Sequence, residues 1–259
     1  MRLVLEGGCF LAGLAAGSLL DLLVQRVPRK EPLRPPWFVC PECSGSPSAL
    51  APFPVLWFVA SLGRCRRCRH RLPARRLGIE SATGVLFLLS AVRFGPNLVL
   101  LAYCAFAAML VAVTAVDIDM RIVPLRFVYP VLAVTIVVFP VASLLDGSAA
   151  PLVRSAIGGA GAFTFFFAVH FIYPDGLGFG DVRLSLLLGL YLGWLGEAYV
   201  FVGLAISFML AAAVGLWLVL FKGRGRRSSI PLAPFLAAGS LIAVFWGAPM
   251  VRLWLGASG

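Results

Sequence analysis

The sequence predicts an all-helical, polytopic membrane protein with about eight transmembrane helices and one large cytoplasmic loop. Three observations predict it. First, 61% of the 259 residues are hydrophobic and only 13% charged, with a mean hydropathy of +0.97. Soluble domains run about 45–50% apolar and about 25% charged, so a water-soluble globule is excluded. Second, uncharged runs of spanning length recur along the chain. Third, the basic residues segregate to alternate turns. At about 20 apolar residues per span, eight helices leave room for one sizeable extramembrane loop.

The elements follow in order. The run at about 4–25 follows Arg2 as a signal peptide would, but it leads into Arg26, Arg29 and Lys30 with no small-residue cleavage site, so it reads as a retained helix. A second run lies at about 78–92. Runs 98–116, 127–145, 155–174, 198–221 and 230–251 contain no Asp, Glu, Lys or Arg, and each is long enough to span. The run 184–196 has only 13 residues, so it is re-entrant or uses Asp181–Arg183 to reach the interface. The expected division is a first helix at 1–25, a cytoplasmic loop at 26–76 and a core of about seven helices at 77–259.

Charge sets the expected topology. Loop 26–76 holds eleven basic residues, and the turns after 116, 174 and 221 add Arg121, Arg126, Arg183, Lys222, Arg224, Arg226 and Arg227. Only Arg2, Arg93, Arg154 and Arg252 fall on the other side. Eight alternating helices thus put 18 of the 22 basic residues inside, as the positive-inside rule expects. Both termini are then outside. The net charge of +11 reads as cytoplasmic loops, not as the basic folded face that nucleic-acid binding needs.

The inner loop carries two C-x-x-C knuckles, Cys40-Pro-Glu-Cys43 and Cys65-Arg-Arg-Cys68, separated by 21 residues. A C-x-x-C turn presents two thiolates on one side, and two such turns complete a tetrahedral zinc shell. The alternatives are disulfides, disfavoured in a reducing cytoplasm, or unligated thiols. Four cysteines leave no coordination position for water, so the metal would be structural and would supply folding energy to a loop rich in Pro, Gly and Ser. This completes the fold class: a membrane helical bundle with a cytoplasmic zinc-binding loop. Arg64, Arg66, Arg67 and Arg69 either offset the thiolate charge or form a solvated or headgroup-facing edge. Cys9 and Cys104, alone in apolar runs, read as packed small hydrophobes.

The second constellation is acidic. Carboxylates are few, and an ionisable group near the membrane is costly and therefore a functional candidate. Val116-Asp117-Ile118-Asp119 follows the third span, and Gly176-Leu177-Gly178-Phe179-Gly180-Asp181 precedes the sixth, both at the inner side. Two neighbouring carboxylates cannot both ionise easily, which provides an acid and a base for activating water. Gly178 and Gly180 allow positive φ and close approach of a peptide. Against this, Asp181 could be an ordinary helix N-cap, and Asp117 and Asp119 interfacial charges paired with Arg121. His170, alone on an apolar helix, reads as a hydrogen-bonded packing residue.

These motifs, in this order, resemble the bacterial type IV prepilin peptidases, membrane aspartic proteases with a GxGD motif. The resemblance runs from Gly17-Ser18-Leu19-Leu20 and Arg26-Val27-Pro28 through the paired C-x-x-C loop, Glu80 and Asp117 with Ile122-Val123-Pro124. It ends with Gly178-Phe179-Gly180-Asp181 and Ile230-Pro231-Leu232-Ala233-Pro234-Phe235. It implies Asp117 and Asp181 as the catalytic pair, with Asp119, Gly178 and Gly180 supporting. It implies removal of the leader from prepilins and pseudopilins of type IV pilus and type II secretion systems, at the cytoplasmic face of the bacterial inner membrane. It also implies N-methylation of the new N-terminus by S-adenosylmethionine, with Glu80 a candidate residue for that step; its plainer reading is an interfacial anchor paired to Arg75 or Arg76. N-methylation belongs to the cysteine-bearing members, which this chain resembles through Cys40, Cys43, Cys65 and Cys68. The chain departs from the common pattern with Asp21 for Asn, Arg183 for Lys and Ala233 for Gly. Two other readings stand beside this one: a non-catalytic scaffold of a secretion or pilus system with a zinc partner-binding loop, and a solute transporter using the aspartates as proton sites. The first makes Asp117 and Asp181 dispensable; the second makes transport, without cleavage, depend on them.

Overall fold

A computed structural model of the chain describes residues 2–29, 43, 68–69, 74–174, 176–222 and 231–256. Cys40, Cys65 and Asp175 lie outside them, as does most of loop 26–76. Among the described residues there are eight helices and no strand: α1 Arg2–Arg26, α2 Ala74–Phe94, α3 Leu98–Met120, α4 Leu125–Leu145, α5 Ala150–Ile172, α6 Phe179–Leu195, α7 Glu197–Lys222 and α8 Ala233–Gly256. Seven are long and apolar enough to cross a membrane; α6 is not among them. Its 17 residues rise about 26 Å, short of a hydrocarbon core about 30 Å thick.

Two compact units divide the chain, Met1–Ala115 and Val116–Gly259. In the first, α1 and α2 cross through small residues. A Cβ added to Gly13 would lie 2.8 Å from Gly84 Cα, and one added to Gly17 would lie 2.6 Å from Glu80 Cα. Such bare contacts let backbones approach where the surrounding lipid offers no hydrophobic drive to associate. Ala91, Leu100 and Cys104 form a buried cluster, with Leu5, Cys9, Phe87 and Phe94 packed on it. Cys9 and Cys104 are thus packing residues, as their apolar settings predict.

In the second unit α6 is the hub, touching α4, α5, α7 and α8. Val182, Leu184, Leu187, Leu188, Tyr191 and Leu192 are buried around its circumference. Protein, not lipid, is therefore its solvent, and this explains how a short helix with no polar face is accommodated. It meets α5 backbone to backbone. Gly189 faces the Gly158 carbonyl, and Gly193 faces Arg154 so closely that a Cβ would sit 3.1 Å from Ser155 Cα.

The helix ends differ from the sequence expectation. The run ending at 116 continues as helix to Met120, so Asp117 and Asp119 lie on the last turn of α3 and not in a loop. The run beginning at 184 starts at Phe179, so Asp181 lies in the first turn of α6. Polar residues do not end a helix by themselves. What ends α3 is Arg121 in the left-handed region at φ 55°, whose N–H bonds the Asp117 carbonyl at 2.9 Å, followed closely by Pro124.

Candidate active site

The site is assembled from residues of the second unit, at the end of α3 and the starts of α6 and α8. Asp117, 5% exposed, closes α3. Its Oδ2 accepts the backbone N–H of Ala233 at 3.2 Å. Ala233 opens α8, where the first amides have no partner within the helix and the helix dipole favours negative charge. The Asp117 carboxylate satisfies one of those amides. The contact uses only the main chain of Ala233, so it does not depend on that residue's side chain.

Asp181 comes from the start of α6. Its N–H bonds the Gly178 carbonyl at 3.0 Å. Gly178 is the N-cap, with φ −65°, ψ 141° and no side-chain cap. Asp181 is therefore not the cap, and its carboxyl is not spent on α6's own amides. Burial pushes the Asp181 carboxyl up to about 7, and the nearby charge of Asp117 adds to the shift. Desolvation and a like charge act in the same direction on a carboxyl.

The glycines work differently from the sequence expectation. Neither Gly178 nor Gly180 adopts positive φ. Gly180 permits close approach: an added Cβ would lie 2.8 Å from Val123 Cβ, so α6 leans on the segment that joins α3 to α4. At Gly178 an added Cβ would come to 3.7 Å from Asp181 Oδ2, and its absence keeps that side of the carboxyl open. Arg183 lays its guanidinium 4.6 Å from the Phe179 ring centre, a stacking that a planar fork makes well.

Asp117, Asp181, Gly178 and Gly180 are thus brought together at one end of the unit. Asp119 is not. It lies two residues beyond Asp117, about 200° round the helix, and is exposed. The Ala233 amide and Val123 were missed as site components. Their signals, Ile122-Val123-Pro124 and Ile230–Phe235, were present in the sequence as motifs but without a physical reason.

Glu80 belongs to a different cluster, inside the first unit. It is 1% exposed and accepts the Ser18 hydroxyl at 2.9 Å. Arg76 Nε lies 3.6 Å from both Glu80 Oε1 and Asp21 Oδ2, and Gln25 donates to Asp21 at 2.9 Å. Glu80 is therefore buried and paired with Arg76, the pairing its plainer reading expects. Asp21, one of the departures from the common pattern, is the second carboxylate on the same guanidinium. No group of three or more His, Cys, Asp or Glu able to hold a metal occurs among the described residues; of the four zinc candidates these include only Cys43 and Cys68.

A profile described as the Type IV leader peptidase family matches residues 104–248, a stretch that contains both aspartates and Ala233. The chain belongs to the type IV leader peptidase family. A second profile, the Bacterial Peptidase A24 N-terminal domain, matches residues 11–94, which contain the Glu80 cluster. The chain is 33% identical to a prepilin leader peptidase/N-methyltransferase of Burkholderia pseudomallei (strain 1026b), over 93% of this chain and 85% of that one. It is 29% identical to a Bacillus subtilis (strain 168) protein of the same name, over 95% and 96%, and 27% identical to one of Aeromonas salmonicida (strain A449), over 95% and 92%. No solved structure matches it significantly. It is an enzyme, a multi-pass membrane peptidase.

The raised Asp181 carboxyl makes a spectroscopic prediction. A carboxyl shifted to about 7 stays neutral in acid and ionises as pH rises through that value. Infrared spectra of the detergent-solubilised leader peptidase should show a protonated-carboxyl band at about pH 5 that is lost by about pH 9. Asp181→Asn should lack the component that titrates near 7. An unchanged band in Asp181→Asn would place the raised carboxyl elsewhere.

Proposed function

We propose that this leader peptidase cuts the leader from type IV prepilins and pseudopilins at the cytoplasmic face of the bacterial inner membrane, with Asp117 and Asp181 as its catalytic pair. One observation carries the reading: two carboxyls from separate helices share one end of the second unit, close enough for the charge of one to oppose ionisation of the other. The names of its relatives supply the substrate class, and the 18 basic residues expected on one side support the cytoplasmic face.

The two carboxyls take different roles. Asp181 keeps its proton up to about 7 and acts as the acid; Asp117, whose Oδ2 already accepts an amide hydrogen, acts as the base. Asp117 takes a proton from water as its oxygen attacks the scissile carbonyl carbon. Asp181 gives its proton to the carbonyl oxygen. The tetrahedral intermediate collapses with cleavage of the C–N bond, and the amine leaves with the proton held by Asp117, while the carbonyl re-forms and returns a proton to Asp181. Gly178, without a side chain, admits the extended substrate beside Asp181. Asp119, on the exposed face, supports the pair only as a neighbouring charge.

Methyl transfer to the new N-terminus is the second activity in this proposal, supported by the relatives' names. When bound, S-adenosylmethionine would supply the methyl group on a sulfonium. The Asp21–Arg76–Glu80 cluster suits a cationic ligand. It has two carboxylates against one guanidinium, and Asp21 Oδ1 is buried without a hydrogen bond among the described residues. Structural zinc on Cys40, Cys43, Cys65 and Cys68 rests on the spacing of the knuckles, and loop 26–76 is proposed as the domain it folds, between helix 1–25 and the core 77–259.

Asp117→Asn and Asp181→Asn should each slow prepilin cleavage by about 10²–10⁴-fold with little change in folding, because Asn keeps the size of the side chain. The pair acts as a unit, so the double variant should be little worse. Asp146→Asn, at the exposed C-cap of α4, should cleave normally. An Asp181→Asn enzyme that is folded and cuts at full speed would refute the mechanism.

A second set of variants separates the two activities. Cys68→Ser should lower bound zinc and, like Glu80→Gln, abolish methylation, with some cleavage surviving. Full zinc content in Cys40→Ser/Cys68→Ser, or full methylation in Glu80→Gln, would remove those residues from the roles proposed here.

A further inference from the structure

The catalytic reading leaves open what holds Asp181 in place. Its carboxyl stands on the first turn of α6, and residues 173–174 and 176–178, which lead into that turn, are outside any helix. A carboxyl that must exchange a proton within hydrogen-bond reach of a substrate tolerates little displacement. The α5–α6 contacts at Gly158, Gly189 and Gly193 fix the body of α6 but lie well along it from Asp181.

The side chain of His170 reaches the entry to that turn. His170, on the last turn of α5, places Nδ1 2.7 Å from the Leu177 carbonyl oxygen. A carbonyl only accepts, so Nδ1 carries the hydrogen and donates it. The imidazole also packs on Phe179, with ring centres 5.4 Å apart, while Arg183 covers Phe179 at 4.6 Å. Leu177 is buried. The next residue, Gly178, caps α6 and receives the Asp181 N–H. An unbroken path therefore runs from the His170 ring, through the Leu177 peptide and the Gly178 cap, to the Asp181 backbone. His170 is thus hydrogen-bonded and packed, as its sequence setting predicts, and the carbonyl it holds belongs to the residue next to the α6 cap.

We propose that His170 is a positioning residue for the peptidase reaction, anchoring the Leu177–Gly178 peptide through its Nδ1–H so that the Asp181 carboxyl is held at its working place beside Asp117. The inference rests on the aspartate-pair reading. It adds a residue that touches neither substrate nor the reacting atoms. Because a carbonyl can be reached from His170 only by a short donor, the proposal also orders the substitutes: Asn puts its amide N–H near the position of Nδ1, whereas Gln extends it towards that of Nε2.

The test compares His170→Asn, His170→Gln and His170→Leu with Asp181→Asn in prepilin cleavage. Rates are normalised to the folded fraction from size exclusion, and melting temperatures are recorded. The expected result for Leu is a fall in kcat of about 10–100-fold, the scale of a displacement of about 1 Å, with KM within about twofold. Asn should recover most of kcat and Gln should not. If the Leu variant fails to fold, the difference between Asn and Gln decides. Leu matching wild type while Asp181→Asn is inactive would overturn the proposal and leave the aspartate pair standing, as would Asn and Gln variants that fold and are impaired equally. An active Asp181→Asn would overturn the aspartate pair and this proposal with it.

Discussion

The second unit depends on where a single carboxylate is spent. Asp117 is buried at the end of α3, and its Oδ2 holds the first amide of α8. A carboxylate in an apolar interior is expensive unless hydrogen bonds reach it, and a helix N-terminus has amides that need partners. Each deficit meets the other. The result ties together segments 116 residues apart and fixes one wall of the site. The opposite wall follows from Gly180, whose bare Cα lets α6 close on Val123. Asp181, carried in on that closure, is held where its ionisation is opposed by burial and by Asp117.

The architecture was largely legible in the sequence, because composition speaks loudly in a membrane protein. Uncharged runs marked the helices, and the scarce carboxylates beside them marked the candidate site. The failures have physical causes. The ends of α3 and α6 were drawn at the first charged residues, Asp117 and Arg183, but a helix is ended by backbone conformation, here at Arg121 and Gly178, not by polarity. Helix α6 looked too short to be ordinary, and it is; a helix enclosed by protein need not match the thickness of the bilayer. Nor does sequence show main-chain donors. Ala233 contributes its amide, so its side chain gave no hint, and Gly178 and Gly180 matter for the space they leave and not for their φ.

Asp21 shows the same limit from another side. As a sequence departure it had no account, because its partner Arg76 lies 55 residues along the chain and is reached only where Gly13 and Gly17 let α1 and α2 touch. The first unit thus buries a charged cluster by the same device that the second uses: small residues bring helices together, and the polar groups carried on them satisfy one another. Among the described residues, each unit of the chain holds at least one buried carboxylate in a largely apolar packing. The proposed division of labour, peptide cleavage in one and methyl transfer in the other, gives both a reason to bear the cost of buried charge.

The central claim is that the two carboxyls at the end of the second unit cut a peptide bond. Its most direct test is a mass spectrum of a purified prepilin incubated with the purified leader peptidase in detergent, with and without S-adenosylmethionine. The account predicts one cleavage, leaving the mature chain and the free leader, and with the methyl donor the mature chain heavier by one methyl group. Intact prepilin after prolonged incubation with folded protein would contradict it.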